Sequence, residues 1–128
     1  MMGKINNVIR IPTSLNNGFF RYWLEFLRPF HNLTERETQL AAAVLKKRYE
    51  LSKVIKDEEI LDKVLLSDDT RKAIRSECNI SLAHFQVMMG KLRKSKIIVD
   101  GRINPRFMPS ITEGQDSFKL LLNFELSE

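Results

Sequence analysis

Residues 67–104, SDDTRKAIRSECNISLAHFQVMMGKLRKSKIIVDGRIN, constrain the fold more than any other stretch of the chain. Ser67 suits a helix N-cap, and Asp68 and Asp69 follow in the first turn, where the positive end of the helix dipole favours acids. Ala73, Ile74 and Cys78 then recur at inward positions. After a break at Asn79 and Ile80, Ser81 caps a second helix running from 82 to about 95, with Phe85, Met89 and Leu92 as its core face. Two runs of β-type residues flank Asp100-Gly101, a pair suited to a type I′ turn because both central positions require positive φ. The spacing predicts two short helices joined by a tight turn and followed by a small β-hairpin.

The flanking sequence adds more helix. In LTERETQL, Thr34 and Glu37 form a capping-box pattern that opens a helix over 35 to about 52. Its buried stripe is Leu40, Ala41, Val44 and Leu45, with Lys46, Lys47 and Arg48 on the outer side near its negative end. Asp57 caps a short helix at 58–66 with Ile60, Leu61, Val64 and Leu65 as its apolar face. Upstream, Phe19, Phe20, Trp23, Leu24, Phe26 and Leu27 recur at helical spacing from Asn17 to Arg28, and Pro29 stops the run. So aromatic a face is either core or the seam with a partner, for which Phe19, Phe20 and Trp23 are the candidate contacts.

Both ends carry strand signals. Residues 4–11, KINNVIRI, read as a short strand or extended arm ending at Pro12. At the other end Phe118, Leu120, Leu122, Phe124 and Leu126 alternate with Lys119, Leu121, Asn123 and Glu125, the period of a strand with one buried face. The neighbour of that strand is the N-terminal arm, the hairpin or another chain, and Phe118, Leu120, Leu122 and Phe124 are its candidate contacts.

Charge is unevenly distributed over the 128 residues, whose net value is +5. By segment it is +3 over 1–33, zero over 34–66, +5 over 67–110 and −3 over 111–128. A basic central module with an acidic tail suits a polyanion-binding unit. The lone Cys78 excludes an internal disulfide and reads as a core thiol; with only His31 and His84 beside it, no zinc-ligand spacing exists. No stretch approaches the roughly 18 consecutive apolar residues of a membrane span, and MMGKINNVIRIP lacks the apolar core of a secretion signal, so the expected location is cytoplasmic. No glycine-rich phosphate loop or nucleophile–base pattern is present, and the acids Asp57, Glu58, Asp68 and Asp69 are explained as helix starts. The expectation is a binding protein without catalytic residues, metal or cofactor.

LTERETQLAAAVLK followed by residues 65–105 resembles the winged helix-turn-helix superfamily of DNA-binding proteins over roughly residues 33–109. Within it the likeness is to replication initiators of the RepL type and phage-encoded proteins, whose wing ends in an Asn-Pro pair, as Asn104-Pro105 stands here. The resemblance implies a mainly α fold with small β elements. A winged helix-turn-helix over 33–109 follows an arm and aromatic helix over 1–32 and precedes a linker and C-terminal β-strand over 110–128. It implies duplex DNA as partner, in replication or transcription control of a phage or mobile element. The helix after the turn then lies in the major groove with His84, Gln86 and Lys91 on its outward, DNA-facing side, where His84 and Gln86 reach base edges, while Arg93, Lys94, Lys96, Arg102 and Arg106 meet phosphates. Leu82, Ala83 and Val87 offer only apolar contact to bases, and equally suit packing on another element or on a partner. The phosphate contacts therefore dominate the expected binding, with weak sequence specificity. The competing expectation is the same fold used as a protein-interaction subunit of a larger, virion-like assembly, with Leu82 and Val87 at the interface.

Overall fold

The computed structural model describes residues 7–16 and 18–128. The chain is mainly helical with one two-stranded antiparallel sheet: α1 (Phe19–Phe26), α2 (Arg28–His31), α3 (Glu35–Ser52), α4 (Glu58–Leu65), α5 (Asp68–Glu77), α6 (Leu82–Lys94), β1 (Ile98–Val99) and β2 (Arg102–Ile103).

Short-range chemistry sets most of the boundaries. Thr34 Oγ1 accepts from Glu37 N at 3.3 Å while Glu37 Oε1 accepts from Thr34 N at 3.0 Å, so the capping box forms as expected. Asp57 caps α4 through Ile60 N, and Ser81 caps α6 through His84 N. Ser67 occupies the N-cap position of α5 but does not cap it, because its hydroxyl donates to Val64 O at 2.7 Å instead. Pro29 lies inside α2 rather than ending α1, which stops three residues earlier at Phe26. It fits there because the first turn of a helix needs no N–H from it.

α5 and α6 both end in the same reverse turn. Asn79 N donates to Ser76 O and Ile80 N to Arg75 O; Lys96 N donates to Arg93 O and Ile97 N to Leu92 O. These are the paired bonds of a Schellman motif, which places the residue after each cap in the left-handed region. Asn79 (φ 54°) and Lys96 (φ 70°) take that position, and Asp100 (φ 53°) and Gly101 (φ 72°) take the positive φ values expected at the hairpin turn. The hairpin pairs Ile98 with Ile103 and Val99 with Arg102. Asn104 then closes it, donating to Lys96 O and accepting from Arg106 N to open a single 3₁₀ turn at Pro105–Phe107.

α3 is the central helix, packing on α1, α4, α5 and α6. Its Leu40, Ala41, Val44 and Leu45 meet Leu65, Ile74, Phe85, Met88, Met89, Leu92 and the hairpin's Ile98 and Ile103 in one buried cluster. Cys78 is half-buried beside it, and burial, with Glu77 second, pushes its thiol above the ordinary range, as suits an inert core thiol.

α1 belongs to the same cluster. Phe20, Trp23, Leu24 and Leu27 are buried in it, and Trp23 Nε1 donates to Phe107 O at 2.7 Å. Phe20 and Trp23 are therefore core, not the contacts of a partner seam, while Phe19 is half-buried at the edge. The turn into α3 is fastened by His31, which is almost fully buried. Its Nδ1 accepts from Leu33 N at 3.0 Å, which leaves Nε2–H to donate to Leu24 O at 2.7 Å. His31→Ala strands the Leu33 amide in the interior, whereas Leu24 O keeps its bond from Leu27 N, and should cost roughly 1–3 kcal/mol, read by chemical denaturation.

Several expectations need correction. Ala73 and Ile60 are exposed, because α5 turns Ile74 and α4 turns Leu61, Asp62 and Leu65 inward. Arg48 is not a solvated outer residue but reaches across to α4. Residues 7–11 form no strand; residues 4–6 of the expected arm, and Asn17 at the expected start of the aromatic helix, lie outside the described residues. The C-terminal strand over 118–126 is not formed either. Phe118 packs edge-on against Phe19 and Trp23, both at 5.4 Å, but the rest of the stretch pairs with no described strand.

Candidate nucleic-acid interface

α6 presents one open face. Leu82, Ala83, His84, Gln86 and Val87 are exposed in its first two turns, and Lys91, Arg93 and Lys94 in its last. Leu82 is 53% and Val87 61% exposed, so neither is buried against another described element. The face thus changes character along the helix, from apolar with His84 and Gln86 at its beginning to cationic at its end. Lys91, Arg93 and Lys94 stand where the helix dipole is negative, which stabilises their charge.

Lys96 continues this cationic end. Arg93 and Lys96 line an open cleft between α6 and the hairpin, together with Arg71 of α5, Asp100 and the apolar floor of Leu66, Met89 and Ile98. Among the described residues Lys91, Arg93, Lys94 and Lys96 make no ion pair with a carboxylate, whereas Arg71 is paired with Asp68 at 2.6 Å. Lys96 also holds a left-handed backbone conformation that glycine adopts more easily.

The remaining expected phosphate contacts are placed differently. Arg102 donates through Nε to Asp62 Oδ2 at 3.2 Å, although its side chain stays half exposed. Arg106 lies with its guanidinium 5.9 Å from the centre of the Phe30 ring, on the α2 side of the 3₁₀ turn. The structure therefore brings Lys91, Arg93, Lys94 and Lys96 together at one helix end and sets Arg102 and Arg106 apart from them in environment.

Asp62 and Arg71 are residues whose roles sequence reasoning missed. Asp62 is 2% exposed, and its two carboxylate oxygens each accept from an arginine Nε: Oδ1 from Arg48 of α3 at 3.0 Å and Oδ2 from Arg102 of β2. This triad ties the hairpin to the helical body. The available signal was an aspartate adjoining the inward pair Leu61 and Leu65, where a solvated acid is out of place. Arg71 was missed because its role depends on the packing of α5 beside the hairpin, which local sequence does not specify.

Among the described residues no group of three or more His, Cys, Asp or Glu is placed to hold a metal ion, and no helix is long and apolar enough to cross a membrane. Comparison with protein-family models, curated proteins and solved structures finds no match for the chain.

Proposed function

We propose that this chain is a winged-helix DNA-binding protein that holds duplex DNA mainly through its phosphates, with α6 as the groove-facing helix and the β1–β2 hairpin as the wing. The observation that carries this reading is the grouping of Lys91, Arg93, Lys94 and Lys96, without carboxylate partners, at the end of the open face of α6. Unneutralised cations of this kind displace counterions from a phosphate backbone, the main source of sequence-independent affinity. The acids support a binding rather than catalytic role: Asp57 is used as a cap, and Asp62 and Asp68 are held by arginines. The resemblance to RepL-type and phage proteins extends the proposal to replication or transcription control of a phage or mobile element.

Competition among unrelated duplexes tests the reading. They should displace a labelled duplex within about tenfold of one another; discrimination above roughly 1,000-fold, the lower range for specific readers, would contradict phosphate dominance.

Leu82 and Val87 favour a second reading, in which the first half of α6 docks a protein. The pair Leu82→Glu and Val87→Glu separates the two. Weakened DNA binding would place this half on the duplex, and unchanged DNA binding would assign it to a protein surface.

A further inference from the structure

Residues 118–126 have the alternation of a strand but belong to none, and their backbone makes no hydrogen bond to any described residue. Backbone whose donors and acceptors are met by no described residue, beside an apolar face, is a template for pairing. The segment is fixed at one end by Phe118 on Trp23 and Phe19. Beyond that anchor exposure rises from 40% at Leu120 to 93% at Leu126. Leu120, Leu122 and Phe124 line a broad groove with Val8, Ile9, Tyr22 and Phe26, all exposed. Exposed apolar side chains gathered on one groove rather than scattered singly are a candidate contact surface.

The order of residues in the segment specifies what covers it. Laid antiparallel on a second copy about a two-fold axis through Leu122, Phe118 faces Leu126, Leu120 faces Phe124 and Leu122 faces itself. On the opposite face Lys119 meets Glu125, twice by symmetry, and Leu121 meets Asn123. An axis through Leu121 sets Lys119 against Asn123, and an axis through Asn123 sets Glu125 against Leu121. An axis between residues places apolar positions opposite polar ones, because side chains alternate strictly. Among these placements the axis at Leu122 is the one that opposes Lys119 to Glu125 and keeps all five residues of the apolar face facing one another.

We propose that residues 118–126 pair with the same segment of a second copy as a two-stranded antiparallel ribbon, making the protein a two-fold homodimer. The interface is isologous, so a single self-complementary stretch serves both sides. Cross-strand Lys119–Glu125 pairs select the register, and the apolar side of the ribbon closes over the groove beside α1. The proposal does not depend on DNA binding.

Sedimentation of the full chain tests it. Wild type should be dimeric. Glu125→Lys replaces two attractive pairs with two repulsive ones and should weaken the dimer by roughly tenfold, Lys119→Glu should do the same, and the double reversal should restore it. Both positions are exposed outside the core, so the fold stays intact, which thermal melts check. For register, Leu122→Cys in a Cys78→Ser background should form an intermolecular disulfide under mild oxidation. Facing residues of an antiparallel pair stand about 4.5–5.5 Å apart, within reach of a disulfide. Leu120→Cys in the same background should not. A wild type that stays monomeric into the hundred-micromolar range overturns the proposal. So does a dimer indifferent to both charge reversals, or one in which Leu120→Cys crosslinks as readily as Leu122→Cys.

Discussion

Asp62→Ala is expected to lower the stability of the fold by about 3–5 kcal/mol, the range for removing one partner of a buried ion pair. The loss comes less from the missing attraction than from what is left behind. Arg48, only 14% exposed, keeps its charge and loses the carboxylate oxygen that neutralised it. Arg102 is half in solvent and contributes little to the cost, but its release loosens the hairpin from α4. Thermal unfolding should show a fall of roughly 10 °C or more. Replacing the buried pair together, Arg48→Met with Asp62→Leu, should recover most of the loss, since a packed apolar pair needs no desolvation of charge. Recovery by the double substitution separates an ionic role from a merely spatial one.

The second large effect concerns binding. Arg93, Lys94 and Lys96 are exposed, so changing all three to alanine should leave the melting temperature nearly unchanged. It should weaken duplex binding on the order of a hundredfold near 0.1 M salt, equally for unrelated sequences. Each phosphate contact contributes about 0.9 to the slope of log K against log salt, so the slope should flatten by up to nearly three. Arg102→Ala should act more weakly on binding, because one of its donors is already committed to Asp62.

These two results draw on parts of the molecule that were unequally legible in the sequence. The capping box at Thr34 and Glu37, the caps at Asp57 and Ser81, and the turn at Asp100-Gly101 are decided within four residues, and the structure repeats them. Ser67 shows the limit of such local reading. Its position is right, yet its hydroxyl has a competing acceptor in Val64 O and the cap is not made. Contacts that join distant residues were not legible. Asp62 and Arg102 are 40 residues apart and Trp23 and Phe107 are 84 apart, and neither pair leaves a periodic trace.

The candidate site divides in the same way. That Lys91, Arg93, Lys94 and Lys96 share one end of a helix follows from spacing alone, while the diversion of Arg102 to Asp62 and of Arg106 toward Phe30 follows from tertiary packing. The aromatic face of α1 was ambiguous between core and partner seam because periodicity reports that a face is buried, not by what; Trp23 bonded to Phe107 O decides it. At residues 118–126 the same kind of periodicity is not matched by burial, and no described strand lies beside them.

The central claim is that α6 and the hairpin hold duplex DNA by its phosphates, and the direct measurement is fluorescence anisotropy of a labelled duplex titrated with the full chain across a series of salt concentrations. The account predicts a linear fall of log K with log salt at a slope of about −3 or steeper, from the four cations at the end of α6 with about 0.9 for each. Absence of binding at low salt, or binding whose affinity does not change with salt, would contradict it.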